Sequence, residues 1–420
     1  MAQRFTHDLQ YYKFCLYGFL KNLRFFEPFL LLFFLEKGLT YLQIGSLYAF
    51  REIVTNILEI PTGIIADAFG RRHMMILSFV SYIVSFLMFY VSSTYLCFAG
   101  AMLFFSLGEA FRTGTHKAMI LEYLNLRGWN SQKVYYYGHT RSWSQLGSAV
   151  CSLIAAGIVF YSGSYRTIFL YATIPYIFDL LLMCTYPREL DGGIGRHRVK
   201  DMLPAFRRVT LEFMHSLKHG YTVKAIGNLS VFSGFHKAAK DYLQPVVHTF
   251  ALSLPLFLFL EDSRRSALVI GIVYFFIYLL TSAASRKSGT QAARFAHLHM
   301  PLNISMMAGF TLGALCGLSY SLALPAPAIM LFVGIYLVQN VRKPMGVSYV
   351  SDLIRQDIFA TALSAESQLS SFVAAGIALV IGFLADHVGI GNSLAVVSLL
   401  LLASSPLYLA KRPRVLSQPD

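Results

Sequence analysis

Charged side chains interrupt the long apolar stretches of this 420-residue chain. A charge near the middle of a bilayer costs about 2.5–3.5 kcal/mol on insertion scales, so its presence indicates a polar cavity or a partner. The basic residues within such stretches are Lys21, Arg24, Arg51, Arg112, Lys117, Arg141, Lys237, Lys240, Arg342 and Lys343. The acidic residues are Glu27, Glu52, Glu59, Glu109, Asp179, Asp241 and Glu366. Basic residues therefore outnumber acidic ones inside the apolar stretches.

This basic excess predicts the chemistry of a bound substrate. A cationic cavity of low dielectric favours an anionic or zwitterionic solute, and the planar guanidinium of arginine matches a carboxylate or a phosphate. The predicted substrate-binding residues are Lys21, Arg24, Arg51, Arg112, Lys237, Lys240 and Arg342.

The acidic residues predict coupling to protons, because a carboxylate in a low-dielectric site can take up and release a proton near neutral pH. The predicted proton-coupling residues are Glu27, Glu52, Glu109, Asp241 and Glu366. The competing interpretation is that these charges form structural ion pairs; Glu109 and Arg112, one helical turn apart, are spaced for one. For Glu59, Arg141 and Asp179, near the ends of their stretches, the two interpretations have about equal weight.

Histidine and cysteine positions show no pattern typical of a metal or cofactor site. His297 and His299 are two residues apart, so on a helix their rings point to opposite sides, and no carboxylate or cysteine joins them. The cysteines have no paired spacing and predict buried apolar side chains. We therefore predict no metal and no cofactor. Because no nucleophile–base constellation is present, we also predict no enzymatic activity.

Membrane-spanning helices are the elements that must position these charges. Hydrophobic residues make up 56% of the chain and charged residues 13%, against about 25% charged residues in a soluble protein. About 20 apolar residues cross a bilayer, and this criterion predicts an all-α polytopic membrane protein with twelve spans. The predicted spans are 12–35, 42–66, 73–93, 95–123, 134–161, 165–186, 221–250, 266–285, 298–321, 325–350, 358–385 and 389–410.

The net charge of +14 follows this topology and does not indicate a nucleic-acid partner. Basic residues cluster in alternate loops, which places both termini in the cytoplasm and the protein in the cytoplasmic membrane. A basic linker at 187–219, with amphipathic helical spacing over 202–217, separates an N-terminal half at 1–186 from a C-terminal half at 220–420. Each half holds six predicted helices.

The segment 59–72 joins the second predicted span to the third with a recognisable spacing. Its residues Gly63, Asp67, Gly70, Arg71 and Arg72 resemble the signature loop of the major facilitator superfamily, which lies there between the second and third helices. The resemblance implies that these residues form a gate and packing element at the cytoplasmic side.

Two further stretches bear on this resemblance. The same spacing recurs around Asp386, but topology puts it at the opposite membrane face, where it predicts only a helix end and a turn. In the C-terminal half, the position equivalent to Asp67 of the signature loop is occupied by Arg286. Glu109-Ala-Phe-Arg112 and Asn340-Val-Arg342 lie at the same place in their halves, as expected of an internal repeat.

The resemblance implies two six-helix halves that rock about a central site. In that fold spans 1, 4, 7 and 10 line the central cavity, and these spans carry many of the charges. The Glu-Ile-Pro-Thr-Gly form of the loop and Arg112 in span 4 look like bacterial efflux members. Span 5, however, lacks the Gly-Pro element that is usual in drug–proton antiporters.

We therefore predict a secondary active transporter that exports a small anionic or zwitterionic organic solute by alternating access, coupled to protons in preference to sodium. Two alternatives stay open: a multidrug/proton antiporter for lipophilic compounds, and a transporter-like receptor or lipid-handling protein. The predicted partners are the solute, the coupling ion and the lipid bilayer, and the predicted state is a monomer.

Overall fold

The computed structural model describes residues 7–129, 133–191, 220–255, 258–292, 297–353 and 359–410. Within these ranges helices are the only regular secondary structure, so the predicted all-α class is confirmed. Seven of the described helices are long and apolar enough to cross a membrane, and the twelve predicted spans are consistent with them. The amphipathic segment predicted at 202–217 lies outside the described residues.

The helices are, in chain order, α1 (Leu9–Leu20), α2 (Leu30–Glu36), α3 (Tyr41–Phe69), α4 (Arg71–Val91), α5 (Tyr95–Arg112), α6 (Thr115–Leu126), α7 (Lys133–Ser162), α8 (Thr167–Cys184), α9 (Gly220–Ala239), α10 (Leu243–Ser253), α11 (Asp262–Ala292), α12 (His299–Ser321), α13 (Pro325–Leu353) and α14 (Phe359–Ala403). Short 3₁₀ helices cover Arg188–Asp191, Lys240–Tyr242 and Ser405–Tyr408. The backbone of α14 is non-helical at Gly389, so α14 comprises two helices joined at a kink.

Three of the spans with predicted site residues are not continuous helices. The helix of the first span stops at Leu20 and resumes at Leu30. The fourth span divides at Gly114, whose φ of +79° favours glycine, and the seventh passes through the 3₁₀ turn Lys240–Tyr242. The helix of the tenth span, α13, has Pro344 in its interior. Discontinuous helices of this kind are typical of binding sites in transporters.

The break in the first span corrects one prediction. The predicted span 12–35 implies a helix through Lys21, Arg24 and Glu27, but the backbone from 21 to 29 is irregular. Pro28 has no N–H to donate and disfavours a helical residue before it, which opposes a helix over the last turn of this segment, residues 24–27. The three charged side chains therefore project from turns.

The described chain divides into two compact units. Unit 1 comprises Met1–Leu39, Phe50–Asp201 and Val247–Tyr278, and unit 2 comprises Thr40–Ala49, Met202–Val246 and Leu279–Asp420. The first turns of α3 therefore belong to unit 2, and α10 from Val247 onward belongs to unit 1 with the first half of α11. The division into halves at 1–186 and 220–420 stays a prediction.

Close helix packing in unit 1 depends on small residues and aromatic rings. In α5, a Cβ on Gly108 would stand 2.9 Å from the ring of Tyr82 in α4. Ser78 donates a hydrogen bond of 2.7 Å to the carbonyl oxygen of Gly108. Because small residues let helix backbones approach in a membrane, Gly108 brings α4 and α5 together and holds the Tyr82 ring in place.

Unit 2 contains an aspartate that caps a helix from another part of the chain. The carboxylate of Asp386, in α14, accepts hydrogen bonds of 2.8 Å from the backbone N–H groups of Tyr41 and Leu42 at the start of α3. Helix N-termini leave such N–H groups without an intrahelical partner. Asp386 therefore stabilises the end of α3 that is opposite the signature loop.

Candidate functional site

The charged centre of unit 1 is a cluster of two arginines around one glutamate. Arg24 donates a hydrogen bond to Oε1 of Glu109. Arg112 donates to Oε2 of the same carboxylate at 2.5 Å, and its Nε donates to the hydroxyl of Tyr82 at 3.1 Å. The predicted pairing of Glu109 with Arg112 is confirmed. The cluster thus joins the irregular part of the first span to α4 and α5.

Local sequence explains how this cluster forms. Glu109 and Arg112 lie one turn apart at the end of α5, so both side chains leave the same face. The positive φ of Gly114 then lets the chain turn and start α6 at Thr115. This restart places His116 beside the first span, with its ring stacked 3.6 Å from that of Tyr17.

A cavity of about 330 Å³ lies next to this cluster within unit 1. Its lining includes Tyr17, Lys21, Asn22, His116 and Gln145. The ammonium of Lys21 lies 5.7 Å from the centre of the Tyr17 ring, a cation–π distance. No carboxylate is among the lining residues that the structure describes, so the cavity presents a positive charge and neutral polar groups.

The corresponding arginine of unit 2 is held in a different way. Arg342 is 2% exposed and donates to the backbone oxygens of Leu302 and Asn228. It also donates at 2.9 Å to Oδ1 of Asn228 and at 2.9 Å to Oγ of Ser305. Its guanidinium lies 4.7 Å from the centre of the Phe232 ring. The hydrogen-bond acceptors around Arg342 in the described chain are all neutral.

A second cavity, of about 280 Å³, lies beside Arg342 within unit 2. Its lining includes Lys237, Gln339, Lys343, Glu366 and Ser370. Lys237 donates hydrogen bonds of 3.0 Å to the hydroxyls of Ser370 and of its neighbour Ser371. This cavity therefore combines Arg342 and two lysines with one carboxylate and several neutral polar groups.

Some predicted site residues lie outside these two groups. Arg51 contacts Glu52 in α3 with 3.3 Å between their side chains. Lys240 lies 3.7 Å from Asp241 on the 3₁₀ turn of the seventh span. None of these four residues lines either of the two cavities.

The signature loop makes its own set of contacts. Gly70 has a φ of +100°, which allows the sharp turn between α3 and α4. The backbone N–H of Arg72 donates to the Asp191 carboxylate at 2.7 Å, and the Arg72 side chain donates to the carbonyl oxygen of Cys184 at 2.8 Å. The loop is thus bound to the segment that follows α8.

The other residues of the signature loop make fewer contacts with the rest of the described chain. Arg71 lies 3.9 Å from the carboxylate of Glu122 in α6. Gly63 is exposed on α3, and a Cβ there would meet nothing within 4 Å. Asp67 lies in α3, and its side chain is outside the described part of the structure.

The structure therefore groups the predicted residues as two clusters and several local pairs. Arg24, Glu109 and Arg112 meet in unit 1; Lys237, Arg342 and Glu366 border one cavity in unit 2. Sequence reasoning missed the neutral partners of these clusters, which are Tyr82, Asn228 and Ser305, and the carboxylate of Asp191 that binds the signature loop. Of these partners, only Asp191 could have been found from the sequence. It is an acidic residue shortly after a predicted span, and where such a span ends near a basic loop the residue is a potential helix cap.

Metal binding has no support in the described ranges. Among the residues that the structure describes, no group of three or more histidine, cysteine, aspartate or glutamate side chains is arranged to hold a metal ion. The five cysteines carry free thiols there.

Comparison with known protein families identifies the class of protein. The sequence model of the Major Facilitator Superfamily matches residues 15–365. The chain belongs to this superfamily, and its function is that of a major facilitator transporter. A comparison with curated protein sequences gave no significant match.

Solved structures with a similar fold are membrane transporters. A POT family transporter in complex with 5-aminolevulinic acid has a TM-score of 0.69 and 16% identity, with 96% of this chain and 98% of that chain covered. A peptide transporter POT in complex with sulfate has a TM-score of 0.67 and 14% identity, with 97% of each chain covered. The nucleoside transporter NupG has a TM-score of 0.66 and 12% identity, with 96% and 98% covered. At these identities the similarity shows the fold alone.

Proposed function

We propose that this transporter moves a small organic anion or zwitterion by alternating access with proton coupling. The observation that supports this proposal is the polar cavity in each compact unit beside the interrupted, charged spans. Lys21 borders the cavity of unit 1, and Lys237 and Lys343 border the cavity of unit 2. A solute carboxylate gains charge-assisted hydrogen bonds from such ammonium groups.

The cavity of unit 1 suits the negative end of a solute. The ammonium of Lys21 supplies the charge, and the amide groups of Asn22 and Gln145 supply neutral donors and acceptors. Its aromatic wall, formed in part by Tyr17 and His116, suits an apolar body attached to a carboxylate.

The cavity of unit 2 suits a solute that carries both charges. Lys237 and Lys343 attract a carboxylate, while Glu366 offers an acceptor for an amine. The substrate-binding roles that we propose are therefore strongest for Lys21 and Lys237, which border cavities and are partly exposed, whereas Arg342 is buried. Arg24, Arg112 and Arg342 support the cavity walls through their hydrogen bonds.

Proton coupling rests most directly on Glu366 among the predicted acidic residues. Glu366 is partly exposed and borders a cavity, so a proton can reach its carboxyl group. Glu109, in contrast, is fixed between two guanidinium groups, which favours a structural role. Glu52 and Asp241 are each next to a basic neighbour.

The similar structures support this substrate class without identifying the substrate. One of them is in complex with 5-aminolevulinic acid and another is named a peptide transporter; 5-aminolevulinic acid and peptides both carry an amine and a carboxylate. The gate role of the signature loop stays a proposal that its contacts with Asp191 and Cys184 support. Placement in the cytoplasmic membrane, cytoplasmic termini, the monomeric state and export likewise stay proposals from the sequence.

Counterflow of a labelled solute in proteoliposomes tests the function. We expect exchange of 5-aminolevulinic acid or a dipeptide. Lys237→Met should weaken the apparent affinity about tenfold, equivalent to about 1.4 kcal/mol. Lys224→Met, the same change on the same helix but away from the lining of the described cavity, is the matched control and should leave the affinity unaltered.

Three results would contradict the proposal in different ways. Exchange of lipophilic cations alone would favour the multidrug antiporter. Absence of counterflow for every solute would favour a receptor or a lipid-handling protein. Equal affinities of the Lys237→Met and Lys224→Met variants would remove Lys237 from the binding site.

A further inference from the structure

Asp179 is a buried carboxyl group that none of the roles above uses. It lies in α8, its exposure is 0%, and neither of its carboxyl oxygens has a hydrogen-bond partner among the described residues. An ionised carboxylate without hydrogen bonds in such surroundings is very costly, whereas a neutral carboxyl group costs far less.

The groups that face Asp179 come from several helices. Lys21, at the end of α1, and Arg112, on α5, are the cations that act on it electrostatically. The phenols of Tyr17, Tyr176 and Tyr186 also interact with it. From α4, Tyr82 contributes a ring that contacts Tyr176, and His116 of α6 is hydrogen-bonded at 3.3 Å to Tyr186.

Only one of the two facing cations is available to respond to Asp179. Arg112 is already bound to Glu109 and Tyr82. Lys21 borders the cavity of unit 1 and has a flexible side chain. The hydroxyl of Tyr176, one turn before Asp179 on α8, donates at 3.2 Å to the carbonyl oxygen of Lys21. This bond fixes the Lys21 backbone against the helix that carries Asp179.

We propose that Asp179 is a proton-binding site of this transporter and that Lys21 links it to the cavity. In one arrangement Asp179 is a neutral carboxyl group and the Lys21 ammonium faces the cavity. In the other, Asp179 has released its proton to cavity water and Lys21 neutralises the carboxylate. This inference rests on the proposed function only for its link to a solute.

The link follows from competition for Lys21. A solute carboxylate bound to Lys21 withdraws the ammonium from Asp179 and thereby favours the protonated carboxyl group. By reciprocity, protonation of Asp179 strengthens binding of the anion. Proton and anion then move in the same direction. An inward proton gradient would drive uptake, opposite to the export that the loop resemblance predicted.

Infrared spectroscopy of the purified protein tests the proton site without any solute. In the Glu366→Gln background, which removes the other candidate carboxyl group, we expect an absorption band of a protonated carboxyl group at neutral pH that Asp179→Asn abolishes. Asp262→Asn, at an aspartate whose side chain is 69% exposed, is the matched control and should retain the band. Because asparagine resembles the neutral carboxyl group in shape, Asp179→Asn should unfold at or above the wild-type temperature.

Either of two results overturns the proton site. One is a band that persists in Asp179→Asn, and the other is an unfolding temperature more than about 5 °C below wild type, which would indicate an ionised structural carboxylate.

Proteoliposomes with labelled 5-aminolevulinic acid test the link to transport. We expect Asp179→Asn to lower the ratio of gradient-driven accumulation to counterflow at least tenfold, and an unaltered ratio contradicts the link. Absence of counterflow in the wild type would refute the proposed function but leave the spectroscopic result valid.

Discussion

The two compact units each hold an arginine at the positions that the predicted internal repeat makes equivalent, but they neutralise it differently. Arg112 in unit 1 shares the Glu109 carboxylate with Arg24. Arg342 in unit 2 is bound by carbonyl, amide and hydroxyl oxygens and packs on a phenyl ring.

A single pair of residues accounts for much of this difference. Three residues before Arg112 stands Glu109, and three residues before Arg342 stands its neutral counterpart Gln339. Gln339 donates instead at 3.3 Å to the hydroxyl of Ser233. The chain therefore holds the guanidinium of Arg112 by ionic contacts in unit 1 and that of Arg342 by neutral dipoles in unit 2. The two arginines should therefore respond differently to mutation.

The largest expected effect is that of Glu109→Gln. This change leaves two partly buried guanidinium groups without a counterion, and loss of one partner from a fully buried ion pair typically costs about 3–5 kcal/mol, which is the upper bound of the expected loss. Thermal unfolding of the purified protein should show the loss. Glu261→Gln, at a glutamate whose side chain is 71% exposed, is the control and should unfold as the wild type does. Equal unfolding temperatures for both variants would mean that the cluster contributes nothing to stability.

Arg342→Met should have an intermediate effect. It leaves buried oxygens of Leu302, Asn228 and Ser305 without their donor, at about 1–3 kcal/mol for an unsatisfied group, but it leaves no unpaired charge. Arg342→Lys should fail to restore stability, because a single ammonium does not match acceptors that lie on two helices.

The adjacent change Lys343→Met serves as a control in the same unfolding measurement and should have little effect. A loss for Arg342→Met larger than that for Glu109→Gln would reverse the proposed contrast between the units.

Tyr82→Phe should have the smallest effect of the series. It removes one neutral acceptor from Arg112, and the guanidinium keeps its bond to Glu109, so we expect a loss of about 1 kcal/mol. Tyr161→Phe, at an exposed tyrosine, is the matched control. A loss as large as that of Glu109→Gln would show that the phenol, and not the carboxylate, organises the cluster.

The local sequence pattern predicted that the protein is all-α, and it predicted contacts between residues one helical turn apart. Apolar run lengths indicated the spans, and the three-residue spacing of Glu109 and Arg112 indicated their pair, which the structure confirms. The same reasoning failed at Lys21 and Arg24, because apolar run length carries no information on where a helix breaks within a span. Partners from distant segments, such as Arg24 for Glu109 or Asn228 for Arg342, depend on helix packing that spacing alone does not specify.

The Asp386 cap has a mechanical consequence for the helix that it holds. The helix α3 has 29 residues, and its first turns belong to unit 2 while Phe50 and the residues after it belong to unit 1. At 1.5 Å per residue, the portion beyond Ala49 forms an arm of about 30 Å. If the axis of this portion rotated by about 10° about Ala49, the far end of α3, next to the signature loop, would move by about 5 Å. With its first turn capped by Asp386, a rigid α3 would turn a small change in the direction of its axis into a much larger displacement at the loop.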